Sequence, residues 1–244
     1  MTEISRIAMW SGPRNISTAM MRAFENRTDC WVMDEPFYAH YLKETGIDHP
    51  MAVKIIANGE IDAAQVIGAC TNGTSPPLTV QYQKQMCHHM LPAMSMDWLA
   101  EVNNCFLIRH PRDVVASYAA KRQQVAIEDL GFQRQCEIFE LATVRYRQSA
   151  IVLEARDVLS NPRATLMKLC EALAIPFNEK MLAWPAGKRR SDGIWASHWY
   201  SAVEASTGFA PPQPPQAALK PALEEIVEAC LPFYEKMAMR KLKP

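Results

Sequence analysis

No stretch of this 244-residue chain approaches the roughly 18 uninterrupted apolar residues that a membrane helix needs. The first residues carry Glu3 and Arg6 and lack the apolar core of a secretory signal. Net charge is missing too. The 26 Lys and Arg balance 26 Asp and Glu, so no global field draws the chain to nucleic acid or to an anionic membrane. Any anion site must come from local placement of basic groups. The seven cysteines (Cys30, Cys70, Cys87, Cys105, Cys136, Cys170 and Cys230) are odd in number, dispersed and never spaced C-x-x-C, which argues for buried thiols rather than disulfides or zinc ligands. His40, His49, His110 and His198 show no metal-ligand spacing, and no metal is expected. Internal repeats and low-complexity tracts are absent, and oligomeric state leaves no mark. What remains is the expectation of a cytoplasmic protein forming one large domain over residues 1–244, with apolar residues enough for a substantial core.

What is there is alternation. Short apolar runs at Ile4–Trp10, Cys30–Met33, Leu78–Tyr82, Cys105–Ile108 and Ile151–Leu153 read as buried strands. Helical patterns lie between them at Ser17–Asn26, Ile61–Ala69, Met96–Glu101, Arg112–Gln123, Glu128–Gln148 and Pro162–Leu173. This order predicts an α/β fold, three layers with a mostly parallel central sheet. Residues 210–215, Ala-Pro-Pro-Gln-Pro-Pro, form a stiff connector to a last helix at about Ala217 to Met239, which Pro232 should bend or split.

The first chemical signal sits where the first strand ends. Gly12-Pro13-Arg14-Asn15-Ile16-Ser17-Thr18 turns the chain into a helix whose free N–H groups and dipole favour an anion. Arg14 adds a fixed cation, and Ser17 and Thr18 add hydroxyl donors. The nucleotide P-loop pattern G-x-x-x-x-G-K-[ST] fails here, because Ser17 and Thr18 stand where the second glycine and the lysine belong. A second strand-to-helix segment, Arg109-His110-Pro111-Arg112-Asp113-Val114-Val115-Ala116-Ser117, puts Arg109 at a strand end and Ser117 about two turns up a helix. Both can grip one phosphate. Taken singly, Arg109 also reads as a salt-bridge partner and Ser117 as a helix-surface residue.

With the two motifs in this order, the chain resembles the sulfotransferase superfamily, P-loop NTPase-like α/β proteins whose donor is 3′-phosphoadenosine 5′-phosphosulfate. The resemblance implies that Gly12, Pro13, Arg14, Asn15, Ile16, Ser17 and Thr18 bind the 5′-phosphosulfate, and that Arg109 and Ser117 bind the 3′-phosphate. Asp34-Glu35-Pro36-Phe37-Tyr38-Ala39-His40 is similar to the E-P-L-x-H region of carbohydrate-type members. Leu153-Glu154-Ala155-Arg156-Asp157-Val158-Leu159 and Leu169-Cys170-Glu171-Ala172-Leu173 are similar to a later stretch of the same group. Gly187 to Gly193, with Lys188, is the nearest counterpart of a C-terminal glycine-rich cofactor loop; read without the family it is a solvated basic turn.

The implied activity moves a sulfuryl group to a small-molecule or carbohydrate acceptor, on a hydroxyl or an amine, with Arg14 neutralising charge at the transferring group. Two bases compete. Glu35 follows the second strand and is expected beside Gly12, while His88 and His89 follow the third. The aromatic residues Trp195, Trp199, Tyr200 and Phe209 read mostly as core. Two other readings stay open: a P-loop kinase, with Asp34 supplying its magnesium carboxylate, and a binding protein on the same fold without turnover.

Overall fold

The computed structural model describes residues 4–120, 124–149, 151–214 and 218–243. Strand β1 (Ser5–Ser11) leads through the Gly12 loop into α1 (Ser17–Glu25). Strand β2 (Cys30–Asp34) is followed by α2 (Tyr38–Thr45), α3 (Ala52–Asn58) and α4 (Ala63–Asn72). Strands β3 (Val80–Met86) and β4 (Asn103–Ile108) precede α5 (Pro111–Ala119), α6 (Ile127–Leu130) and α7 (Phe132–Glu140). Strand β5 (Ile151–Glu154) opens the last stretch, with α8 (Ala155–Ser160), α9 (Pro162–Ala172), α10 (Ala196–Trp199), α11 (Ser201–Glu204) and α12 (Pro221–Ala238).

The strands form one sheet in the order β2-β3-β1-β4-β5, and every pairing is parallel. All five carboxyl ends therefore share one edge. Central β1 is flanked on both sides and covered on both faces, which is why Ile7 to Ser11 are fully buried. Its period-2 alternation splits the core. Ile7 and Met9 pack with Met20 and Phe24 of α1 and Leu166 and Leu169 of α9, while Ala8 and Trp10 face Cys70 of α4, Phe139 of α7 and Met237 of α12. All seven cysteines are free and buried, as the dispersed spacing implied.

Two helix starts follow from their residues. The Asn161 side chain accepts from the Ala164 amide at 3.2 Å, and the His110 ring accepts from the Arg112 amide at 3.2 Å; a proline follows each cap.

Differences from the sequence reading have local causes. Strand β3 begins later and runs further than Leu78–Tyr82, through polar Gln81, Gln83, Lys84 and Gln85, all about 1% exposed or less. Their amides form a ladder: Gln85 donates to Gln83 at 3.1 Å, and Gln83 to Gln81 at 3.0 Å. The ladder also satisfies the last carbonyls of α4, with Gln83 donating to Cys70 O and Gln81 to Ala69 O. The long helix expected at Glu128–Gln148 is broken by Gly131 at φ +71° and ends in a π turn over Leu141–Arg145. Helices α2, α3, α8, α10 and α11 were not anticipated. Helix α12 passes through Pro232 without being split. Residues 121–123 of the expected Arg112–Gln123 helix, Pro215 of the connector and the expected start at Ala217 lie outside the described residues.

One buried network clamps the β1–β4 contact. Trp10 donates its indole N–H to Asn104 Oδ1 at 2.9 Å, and Asn104 Nδ2 donates to Leu99 O at 2.8 Å and to Gln148 at 2.6 Å. Asn104→Ala strands the buried indole donor and is expected to lower unfolding free energy by about 2 kcal/mol, measured by urea denaturation.

Candidate active site

The Gly12 loop is held in place by the neighbouring strand β4. Arg14 adopts φ +56°, a left-handed conformation unusual for a residue with a side chain. Arg109, just past β4, donates to the Arg14 carbonyl at 2.7 Å. Asn15 donates to Leu107 O at 2.9 Å and accepts from the Ile16 amide, so its side chain serves the loop itself. The Arg14 Nε then reaches Ser117 Oγ on α5 at 3.0 Å. Ile16 at the start of α1 makes no side-chain capping bond, so the amides of the first turn, at Ser17 and Thr18, carry their positive end toward the loop. Gly12 is required by close approach: a Cβ there would sit 2.4 Å from Leu130 O.

Arg14, Arg109 and Ser117, expected from separate motifs, thus meet at the carboxyl edge of β1 and β4. Burial lowers the Arg109 pKa, Asp113 opposes this, and Arg14 adds to it. Arg156 stands 3.8 Å from Asp113, a further cation at the same edge that the sequence reading did not single out. Arg109, Asp113, Glu154 and Arg156 line a shallow cleft here.

On the other side of β1 lies a second constellation. Lys84 of β3 is 1% exposed and donates to Asp34 Oδ1 at 3.0 Å, to Glu35 Oε1, and to the Tyr200 hydroxyl at 2.8 Å. The Tyr200 hydroxyl donates to Asp34 at 2.7 Å, and the Gly193 amide donates to Asp34 Oδ2 at 3.0 Å. Burial pulls the Lys84 ammonium down, but Asp34 and Glu35 hold it well above its ordinary pKa. Burial raises the Glu35 pKa, Lys84 opposes this, and Asp34 adds to it. Glu35 Oε2 has no hydrogen-bond partner among the described residues. Like Arg14, Glu35 has a left-handed backbone, φ +45°, fixed by its amide donating to Lys84 O at 3.0 Å.

The expectation that Glu35 lies beside Gly12 needs correcting. Glu35 is at the same sheet edge, but β3 stands between β2 and β1, so Lys84 and the turn after β3 intervene. That turn carries the histidines. His89 is 2% exposed, with its ring stacked on Tyr38 at 4.6 Å and on Tyr41 at 4.8 Å. Burial, His88 and Lys84 keep it well below the ordinary imidazole pKa. Gly131 packs against both Gly12 and the His88 backbone, a Cβ on it falling 3.8 Å from each. The buried Nδ1 of His88 has no partner among the described residues, and burial, His49 and Lys84 lower its pKa to about 4.

Lys188 is not brought to the loop. It is exposed, on a turn tied to the far end of α1, where Arg22 meets Asp192 at 2.6 Å and Ser191 donates to Glu25. Tyr200 is core by burial, but its hydroxyl is part of the site. Sequence reasoning weighed Asp34 only as a magnesium ligand and gave Lys84 no role. A lysine at mid-strand beside an Asp-Glu pair at the next strand's end was the available signal, since a buried ammonium needs carboxylates. Both Asp34 oxygens are engaged by Lys84, Tyr200 and Gly193, which does not suit a kinase's magnesium carboxylate. Among the described residues no group of three or more His, Cys, Asp and Glu is arranged to hold a metal ion, and no helix is long and apolar enough to cross a membrane.

A parallel sheet whose central strand runs into a cationic loop defines an α/β protein of the P-loop-like kind, with Arg14 and Arg109 gathered at the strands' carboxyl edge. The family model of the sulfotransferase domain matches residues 5–241, and the chain belongs to that family. It is 32% identical over 228 residues to branched-chain-amino-acid aminotransferase-like protein 2 of Arabidopsis thaliana, covering 93% of this chain and 40% of the relative. With the like-named protein 1 it shares 31% over 234 residues, 96% of this chain and 42% of the relative. The chain therefore spans about two fifths of the length of these curated relatives. Among solved structures, the sulfotransferase domain from the curacin biosynthetic pathway superposes with TM-score 0.53 at 15% identity, covering 94% of this chain and 98% of that one. A sulfotransferase from Alicyclobacillus acidocaldarius gives 0.52 at 11% identity, with 98% and 97% covered. At such identities the likeness speaks for the fold.

The neutral histidines set a pH dependence. An unfolded imidazole binds a proton below about pH 6.5. In the folded chain burial prevents this until about pH 4 at His88, and His89 is shifted the same way. In that window the unfolded state holds more protons, so stability falls as pH falls, by about 1.4 kcal/mol per pH unit for each imidazole. His89→Phe keeps an aromatic ring between the tyrosines and should lose less stability than the parent between pH 7 and pH 5 in urea titrations. An unchanged loss would mean that His89 titrates normally.

Proposed function

We propose that this domain transfers a sulfuryl group from 3′-phosphoadenosine 5′-phosphosulfate to an acceptor hydroxyl or amine on a small molecule or carbohydrate. The observation that carries the reading is the convergence of Arg14, Arg109 and Ser117, with Arg14 Nε 3.0 Å from Ser117 Oγ and Arg109 on the Arg14 carbonyl. Family membership supports the sulfuryl chemistry. The amides at the start of α1 and the Arg14 guanidinium suit the 5′-phosphosulfate, and Arg109 with Ser117 suits the 3′-phosphate. Each side chain then has a task. Arg14 stabilises charge on the oxygen that leaves sulfur as the acceptor oxygen bonds to it, in a loose in-line displacement dominated by positioning and electrostatics. Adenosine 3′,5′-bisphosphate is released, and the acceptor proton passes to a base.

Glu35 is the base this geometry favours. Its Oε2 is open, and burial raises its proton affinity. His88, whose buried Nδ1 has no partner among the described residues, is the second candidate. His89 is closed between two tyrosine rings, and its role reads as packing.

Calorimetric titration tests the donor site. Adenosine 3′,5′-bisphosphate should bind the parent more tightly than adenosine 5′-monophosphate does. Arg109→Ala should cost about tenfold to 100-fold for the bisphosphate and narrow the difference between the two ligands. Equal affinity for parent and variant would remove the assignment.

Turnover tests the base on a panel of alcohol, phenol, amine and sugar acceptors. Glu35→Gln should lower kcat about 100-fold or more while bisphosphate affinity stays put. A loss in His88→Asn instead would move the role to His88, and bisphosphate binding without transfer to any acceptor would mark a binding protein.

A further inference from the structure

Three features outside the donor cradle invite a role. The groove between α7 and α12, lined by Cys136, Glu140, Phe233 and Lys236, has nothing on it to name an occupant. The aromatic stack around His89 is closed to ligands. The buried ammonium of Lys84 is different, because its partners arrive from two separate parts of the chain, the end of β2 and the segment that carries Tyr200.

Lys84 has three N–H bonds to give and three oxygens to receive them: Asp34 Oδ1, Glu35 Oε1 and the Tyr200 hydroxyl. The Tyr200 proton goes to Asp34, which also takes the Gly193 amide, and the Trp195 indole N–H approaches the Tyr200 oxygen at 3.3 Å. Asp34 is thus fully satisfied without Glu35. Among the described residues Glu35 has only Lys84, on one of its two oxygens. The two carboxylates share one cation, so whatever strengthens Asp34's hold on Lys84 weakens Glu35's.

We propose that Asp34 and Tyr200 are positioning residues that divide the Lys84 ammonium between two carboxylates and so set the proton affinity of Glu35. The proposal rests on the reading of Glu35 as base. By it, the Tyr200 hydroxyl, on a segment remote in sequence, tunes a carboxylate it does not touch. It takes over part of the load on Asp34 and leaves Lys84 free to face Glu35. The other charged groups nearby do not compete. Arg22 of α1, which feels Asp34, is itself paired with Asp192, and His88 and His89 beyond β3 are held neutral at neutral pH.

The sign of each change follows. Removing the like charge by Asp34→Asn should lower the Glu35 pKa by about one unit, since Lys84 then serves Glu35 alone. Tyr200→Phe should raise it, because Asp34 draws Lys84 away. Lys84→Met should raise it furthest, and because that variant leaves two buried carboxylates unpaired, the milder pair carries the test if it does not fold. The experiment labels the full chain with carboxyl-13C glutamate, assigns Glu35 by its disappearance in Glu35→Gln, and follows its NMR shift with pH. Opposite movements in Asp34→Asn and Tyr200→Phe are the expected result. No movement in either, or movement in the same direction, overturns the proposal. The readout needs no acceptor, so it is separate from the turnover test: Glu35 can titrate as described while Glu35→Gln leaves transfer intact, in which case only the base reading fails.

Discussion

The Arg109 bond to the Arg14 carbonyl is the contact on which the proposed donor site depends. A non-glycine residue in the left-handed region costs on the order of 1–3 kcal/mol and persists only where its surroundings fix it. Arg109 and Asn15 supply that restraint from both sides, one on the strained carbonyl and one on the end of β4. The same device recurs two strands away, where the Glu35 amide is tied to Lys84 O. Two strand ends thus carry a strained residue, each pinned to the strand next to it, and each projects the side chain to which the proposed reaction assigns a charge-handling role.

The electrostatic plan follows from strand order. At the β1–β4 end of the edge, Arg14, Arg109 and Arg156 gather beside Asp113. At the β2–β3 end, Lys84 faces Asp34 and Glu35, which leaves one carboxylate in excess. Adjacent strands lie about 4.8 Å apart, so β4 and β2 ends are separated by about 14 Å. Cations gather at one end and carboxylates at the other, within a chain of no net charge. Balance across the whole molecule says nothing about either end.

The fold was legible because burial wrote itself into β1, β2, β4 and β5 as apolar runs. It was less legible at β3, whose glutamines satisfy one another and the end of α4, a pairing that local polarity does not reveal. The cationic half of the site was readable, since each motif joins a strand end to a helix start, and a parallel sheet brings such ends to one edge. The acidic half was not. Tyr200 lies 116 residues from Lys84, and Asp34 looked like a metal ligand until its partners were known. Where Glu35 sits relative to Gly12 depended on β3 entering between β1 and β2, a topological fact that spacing does not encode. Lys188 was placed by resemblance to a family's cofactor loop, and its turn is anchored by Arg22 and Glu25, whose helical positions carried no mark of that use.

The scarcity of glycine in the loop explains why side chains dominate this site. A glycine-rich phosphate loop lets successive backbone amides approach the ligand, and its specificity lies in the backbone. Here Gly12 is the loop's one glycine, and the close approach of Leu130 O requires it. In the proposed reading, the recognition that backbone amides do not provide falls to Arg14 after β1, Arg109 after β4 and Ser117 on α5, which depend on one another's placement. A cradle built this way is sensitive to the register between two strands. The buried clamp of Trp10 and Asn104 across those same strands supports the site from below, although neither residue reaches it.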